Sequence, residues 1–279
     1  MGNDEALPVV VVAGSVERQF RPVNRHEDQT SARVAARLRN SGHDRRESIV
    51  NQTRSLRRRG RRFITYALHE AAQDIDLERY RQAVATSAQF VDEHMPLVTG
   101  FRGPSPLDAK IDLLRWALHQ APDEGLVLEF GVATGLTMRE IAANRLPAHG
   151  FDSFEGLPEA WRGGFAEGAF AQDLPDVGEA ELHRGWFEDS LPGFLETHDG
   201  PIAFVHMDAD LYSSTKTIFD LAFDRFAPGT IILFDEYFNF PGWQQHEHKA
   251  FTEFLELYEG GAEYIGFNAL HEQVAVRLT

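Results

Sequence analysis

A chain of 279 residues, 43% of them hydrophobic and 25% charged, is long enough to bury a full α/β core and to carry an extension beyond it. Cysteine is absent, which excludes disulfide frameworks, thiolate zinc sites and cysteine nucleophiles and leaves carboxylates and histidines as the strong metal ligands. The net charge of −16 divides into +7 over residues 1–62 and −23 over the remainder, so the acidic body repels phosphate backbones and nucleic acid is not an expected partner.

The front holds 14 Arg within residues 1–62, among them the run Arg57-Arg58-Arg59-Gly60-Arg61-Arg62. Such a run is either an electrostatic footprint for an anionic surface or a solvated arm against the chain's own acidic body or a partner subunit, and the second reading suits the charge balance better. The apolar stretch over residues 8–13 follows Asp4 and Glu5 rather than a basic segment, and no run approaches the ~18 apolar residues of a bilayer span. A cytoplasmic protein without membrane contact is therefore expected. Helical patterns fall over residues 28–38, 48–69 and 77–93; in the last, Tyr80, Val84, Ser87, Ala88 and Val91 recur at helical spacing. Residues 63–106 read as a helical cap or oligomer segment, with Pro96 and residues 100–106 as a hinge into the main domain, residues 107–279. A homo-oligomer is expected from such a front.

After a helix over residues 107–119 the texture changes to short apolar runs at residues 126–130, 149–152, 202–207 and 230–234, separated by helical patterns over 137–144, 213–226 and 248–258. That alternation predicts a doubly wound, Rossmann-like α/β sheet of mostly parallel strands. The last two runs, residues 264–267 and 274–278, are too close together for a crossover helix and are expected to pair antiparallel.

Three segments carry chemistry. The first is Leu128-Glu129-Phe130-Gly131-Val132-Ala133-Thr134-Gly135-Leu136-Thr137, a strand ending in glycines before a helix, which lets the backbone approach a ligand and aims N–H groups at it. The methionine carboxylate of S-adenosylmethionine needs such a loop, and Glu129 is placed for its sulfonium and amino group; the bland alternative is a tight strand-to-helix turn. The spacing of Gly131 and Gly135 is not G-x-G-x-x-G, which weighs against a nicotinamide oxidoreductase. The second segment, Gly150-Phe151-Asp152-Ser153-Phe154-Glu155-Gly156-Leu157-Pro158, offers Asp152 as acceptor for two ribose hydroxyls or as a turn cap. The third is His206-Met207-Asp208-Ala209-Asp210-Leu211-Tyr212-Ser213-Ser214-Thr215, followed at the next strand end by Phe234-Asp235-Glu236-Tyr237. Carboxylates at the C-terminal ends of adjacent parallel strands converge on one crevice and repel one another unless a cation lies between them; Mg²⁺ answers that demand. Asp210 either shares that cluster or caps the next helix.

These three segments, with Gly185-Trp186-Phe187-Glu188-Asp189-Ser190-Leu191-Pro192 between them, resemble the macrocin and mycinamicin type of sugar O-methyltransferases of antibiotic biosynthesis over about residues 107–278. The resemblance implies a class I methyltransferase fold with a seven-stranded sheet, S-adenosylmethionine as methyl donor and a sugar-containing small-molecule acceptor. It implies Mg²⁺ held by Asp208, Asp235 and Glu236. Cofactor contacts are implied for Glu129, Gly131, Val132, Thr134 and Gly135 in the first loop and for Asp152 and Ser153 in the second, with Phe187, Asp189 and Asp208 beyond them. The chain departs from the pattern at Glu236, where the family carries a second aspartate, and its first loop is poorer in glycine. A sugar hydroxyl is a weak nucleophile, so the expected chemistry joins activation by the cation to proton removal by Asp208, with His206, His246 and His248 in reserve. Residues 237–248, with Phe238, Phe240, Pro241, Gly242 and Trp243, suggest an aromatic acceptor wall or a loop anchor, and residues 161–164 a second lid. Three other readings stand beside this one: a metal-independent methyltransferase of small molecules, a non-catalytic scaffold that binds the adenosyl cofactor, and a nucleotide-dependent oxidoreductase.

Overall fold

Asp74 opens the first helix of the computed structural model, which describes residues 74–279. The expectations for the Arg-rich front and for helices over residues 28–38 and 48–69 lie outside those residues. The Asp74 carboxylate accepts from the Leu77 amide at 3.0 Å, and Asp76 and Glu78 occupy the first turn, where the helix dipole favours negative charge; the helix, α1, runs Ile75–His94. Ser105 caps α2, Pro106–Gln120, in the same way, with Pro106 at the start, where no amide hydrogen is needed. Leu113, Leu114 and Ala117 on α2 are fully buried, so one face of this helix packs on the sheet.

The central strands are buried on both faces and apolar apart from Glu129 and His206. All six residues of β5, Ile202–Met207, and all four of β6, Ile231–Phe234, are buried, as are four of the five in β2, Leu126–Phe130. That pattern belongs to parallel strands covered by helices on both sides. Outside β2 lie β3, His149–Asp152, and the edge strand β4, Glu181–Arg184; outside β6 lie β8, Val274–Leu278, then β7, Ala262–Asn268, and finally β1, Thr99–Phe101. Every pairing is parallel except those of β8, which runs antiparallel to β6 and β7, so the terminal hairpin forms as expected. Helices α3, Leu136–Asn144, α4, Phe187–Thr197, α5, Tyr212–Leu221, and α6, Glu247–Leu257, complete the order. The strand sequence reverses direction between β2 and β5, and a ligand crevice is expected beyond the carboxyl ends of those two strands.

Three features differ from the sequence reading. The sheet has eight strands among the described residues rather than seven: the eighth is β1, in the segment expected to act as a hinge, where Thr99, Gly100 and Phe101 register with Gly266, Phe267 and Asn268. Strand β4 has a single apolar residue, Leu182, and so lacks the pattern that reveals buried strands. Helix α4 contains Pro192, which masked it, and the helix expected over residues 213–226 ends at Leu221 and passes into a 3₁₀ turn, Phe223–Arg225. No helix among the described residues is long and apolar enough to cross a membrane.

Candidate active site

The glycine loop after β2 is shaped by contact with the end of β5. Gly131 has φ +87°, and a Cβ there would lie 1.7 Å from the Asp208 carbonyl oxygen, so only glycine fits. The Asp208 amide donates to the Phe130 carbonyl at 2.9 Å and locks the two strand ends together. Asp152, at the end of β3, braces the same loop: one carboxylate oxygen accepts from Val132 N at 2.9 Å and Ala133 N at 2.8 Å, the other from Phe154 N at 2.7 Å. Asp152 therefore caps the turn, one of its two sequence readings, and also lines a cleft of about 580 Å³. Gly131, Ser153, Phe187 and Asp208 line that cleft as well. Of the other expected cofactor residues, Glu129, Val132 and Gly135 are buried behind it, and Thr134 and Asp189 are exposed outside it.

The floor of the cleft is a dense set of charges. His206 is fully buried, with Nδ1 2.8 Å from Glu129 Oε1 and Nε2 3.3 Å from Asp235 Oδ1. Burial depresses the imidazole, but its hydrogen bonds to Asp235 and Glu129 outweigh this and push it up to about 10, so it stands as an imidazolium between two carboxylates. Lys110, on α2, reaches in with Nζ 2.7 Å from Asp235 Oδ1 and 3.4 Å from Asp208 Oδ2. Burial raises the Asp235 carboxyl, yet Lys110 and His206 together hold it well below the usual range. Asp208 shares Lys110 only at the longer distance, and Asp210 and Glu236 have no ion-pair partner among the described residues. Burial and neighbouring carboxylates push Asp208 up to about 6 and Asp210 up to about 8, and drive Glu236 well above the usual range. Asp210 sits at φ +60°, a left-handed backbone that brings it into the cleft wall.

Carboxylates here outnumber cations, and three buried oxygens, Glu129 Oε2, Glu236 Oε2 and Glu247 Oε1, have no hydrogen-bond partner. Two overlapping groups bring one potential ligand atom from each member within 4.8 Å of the others: His206, Asp208 and Asp235, and Asp208, Asp210 and Glu236. An oxygen-rich, charge-deficient arrangement of this kind fits a hard divalent cation. Glu247, on α6, is fully buried and accepts from the Glu236 amide at 3.0 Å, which fixes the turn after β6.

The aromatic wall comes from a different segment than expected. Tyr237, Phe238, Phe240 and Trp243 are buried in the core and serve as the loop anchor: Asn239 N donates to Ser87 Oγ at 2.8 Å and Trp243 Nε1 to Thr86 Oγ1 at 3.3 Å, both on α1. His248 is part of this packing, edge-on to Phe90 and Trp243, and does not line the cleft. The cleft is faced instead by Trp161, Phe165 and Phe170 from residues 153–180. Arg162 stacks over Trp161 at 3.9 Å and Phe240 at 4.5 Å, and pairs in a fork with Glu272 at 3.0 and 3.1 Å. His246 lies behind Trp161, with ring centroids 6.4 Å apart and Nδ1 unpartnered. Lys110, Arg162, Glu247 and Glu272 were not singled out from sequence. Only Lys110 left a trace there, as one of 3 lysines against 24 arginines.

Residues 128–237 match a family model described as a methyltransferase domain. Among curated proteins the chain is similar to 8-demethyl-8-(2,3-dimethoxy-alpha-L-rhamnosyl)-tetracenomycin-C 4'-O-methyltransferase of Streptomyces olivaceus, 29% identical over 164 residues. That match covers 46% of this chain and spans only 60% of the relative's length. Among solved structures it is similar to CalS11, a calicheamicin methyltransferase, at TM-score 0.51 and 22% identity, covering 72% of this chain and 90% of that one. The O-methyltransferase NovP follows at TM-score 0.47 and 22% identity, covering 61% and 79%. The CalS11 likeness carries the fold, which is that of class I methyltransferases, and within it residues 128–237 match the methyltransferase domain model.

Proposed function

We propose that the chain is an S-adenosylmethionine-dependent O-methyltransferase that modifies a hydroxyl of a sugar or sugar-linked natural product, assisted by Mg²⁺ held by Asp208, Asp235 and Glu236. The observation that carries this reading is that those three acids and Asp210 all line the cleft beside the Gly131 loop, with Asp208 common to one possible ligand group that holds Asp235 and another that holds Glu236. The Streptomyces relative, named as a 4'-O-methyltransferase of a rhamnosyl tetracenomycin, supports the acceptor class. A cytoplasmic setting, a homo-oligomeric state and the division at residues 62 and 106 belong to the same proposal.

When bound, S-adenosylmethionine supplies the methyl group, and a divalent cation polarises the acceptor oxygen. The chain's own part is placement. The Gly131 loop and Asp152 form one end of the cleft, and Trp161, Phe165 and Phe170 give an apolar face suited to a sugar ring. Asp208, with a quarter of its side chain exposed at the cleft floor, is the group that takes the hydroxyl proton. His206 touches no cleft surface and acts by holding Asp235 in place. His246, behind Trp161, does not line the cleft either.

A second reading rests on Lys110. Its ammonium already bridges Asp208 and Asp235, and in a metal-independent enzyme it neutralises them without an ion. Calorimetric titration with S-adenosylhomocysteine after chelation, with and without Mg²⁺, separates the readings. The expected result is cofactor binding in the parent and a Mg²⁺ signal that disappears in a folded Asp208→Ala, Asp235→Ala variant. Turnover of a glycoside acceptor that is indifferent to chelation selects the Lys110 reading, and absence of any cofactor binding overturns both.

A further inference from the structure

The starting ends of β3 and β4 carry a histidine cluster that methyl transfer does not use. Parallel register pairs His149 with Glu181 and Phe151 with His183, and because alternate residues of a strand share a face, all four project to the same side of the sheet. His149 lies three residues before Asp152, roughly 10 Å along the strand from the cleft. Its Nδ1 is 3.2 Å from His183 Nε2 and 3.7 Å from Glu181 Oε2, and one ligand atom from each residue lies within 4.8 Å of the others.

Those separations have the bite of a metal site. Two nitrogens bound to one tetrahedral ion at ~2.0–2.1 Å stand about 3.4 Å apart, so the imidazole pair needs an adjustment of only a few tenths of an ångström. Glu181 is exposed and closes the triangle from the solvent side, which leaves an entry path and an open position for water. Phe151 stacks on His183 at 4.6 Å, and Phe194 packs against both histidines at 4.9 and 4.8 Å, fixing their ring planes. His198, at the end of α4, has its ring centroid 5.0 Å from that of His149, and its Nδ1 lies 3.0 Å from the Phe194 carbonyl oxygen, which places the ring at the cluster's edge. Burial, and for His149 its neighbour His183, keep both imidazoles below their ordinary value, hence neutral at pH 7 with lone pairs available.

We propose that His149, His183 and Glu181 form a second metal site, specific for a divalent transition ion of the zinc class, that ties the edge strand β4 to β3. Two imidazoles and one carboxylate select such an ion over Mg²⁺, which prefers oxygen ligands alone. The site acts on the stability of the sheet edge, because binding to the folded state raises apparent stability by mass action.

The test is Zn²⁺ titration of the chelator-stripped full chain against a chromophoric competitor, carried out on an Asp208→Asn background so that the acidic cleft does not contribute. One equivalent of Zn²⁺ should bind, raise the thermal midpoint and resist millimolar Mg²⁺, and Co²⁺ in its place should show the visible absorption of a nitrogen-ligated tetrahedral ion. His183→Phe, which keeps the stack on Phe151, should weaken binding at least 100-fold, and Glu181→Gln about 10-fold. No Zn²⁺ uptake on the Asp208→Asn background, or uptake equally strong in His183→Phe or Glu181→Gln, overturns the proposal. Glu181 is exposed, so its variant folds and decides the matter even if the histidine variant does not.

Discussion

Gly131 and His206 show how single side chains hold the cleft. An alanine at position 131 faces a left-handed backbone, worth about 1–3 kcal/mol of strain, and a Cβ lodged 1.7 Å from the Asp208 carbonyl. Gly131→Ala is therefore expected to push the β2 and β5 ends apart and weaken S-adenosylhomocysteine binding at least tenfold by calorimetry. Gly163→Ala, where a Cβ meets nothing within 4 Å, is the control that should leave binding unchanged. If the two variants bind alike, the Gly131 loop is not the cofactor cradle. His206 makes a different demand, since removing its charge strands Glu129 in the interior and leaves Asp235 to Lys110 alone. His206→Gln is expected to cost about 3–5 kcal/mol of unfolding free energy in urea, the range for breaking a buried ion pair, whereas a surface histidine would cost almost nothing. The strand-end acids Asp208, Asp235 and Glu236 could be read from sequence because parallel strands deliver their carboxyl ends to one place. Lys110 and Glu247 could not, since they arrive on α2 and α6, far along the chain, with no spacing rule connecting them to the strands.

At the scale of elements, apolar strands and amphipathic helices were legible and the polar edge was not. Strands β2, β3 and β5 match the expected runs residue for residue; burial on both faces leaves β2 and β5 largely apolar, whereas β3 has only Gly150 and Phe151 between His149 and Asp152. Strands β1 and β4 are stabilised at the sheet edges by backbone pairing rather than by side-chain pattern, so hydrophobic periodicity is silent there. The link from β3 to β4 is also unusual: residues 153–180 contain no helix, although a parallel pair is ordinarily joined by one. This segment is held over the cleft by its own turns and by the Arg162–Glu272 fork, which fastens it to the turn before β8. Glu272→Gln keeps the shape but removes the charge, leaving Arg162 stacked yet unpaired. Hydrogen exchange should then rise over residues 157–170 and stay level in β2 and β5; uniform protection in the variant would show that the aromatic stack alone holds the segment.

Across the described residues, the anchor between α1 and the loop after β6 is one place where the fold answers acid. His248 is enclosed by Phe90, Tyr237 and Trp243, and burial together with the like charge available on His94 of α1 lowers it from 6.5 to about 4. The folded state therefore binds fewer protons here than the unfolded chain between those two values, and stability rises with pH through that window. The contribution is complete above pH 6.5 and is lost as pH falls towards 4. His149, His183 and His246 are also depressed and act in the same direction, so the parent alone cannot assign the effect. A difference measurement can. His248→Phe keeps an aromatic ring in the cage and removes the titration, so its thermal midpoint should fall less than the parent's between pH 7 and 4.5, while the other three histidines cancel between the two proteins. Parallel curves would mean that the cage opens to admit the imidazolium at little cost, and that α1 is held to the loop mainly by the Ser87 and Thr86 hydrogen bonds.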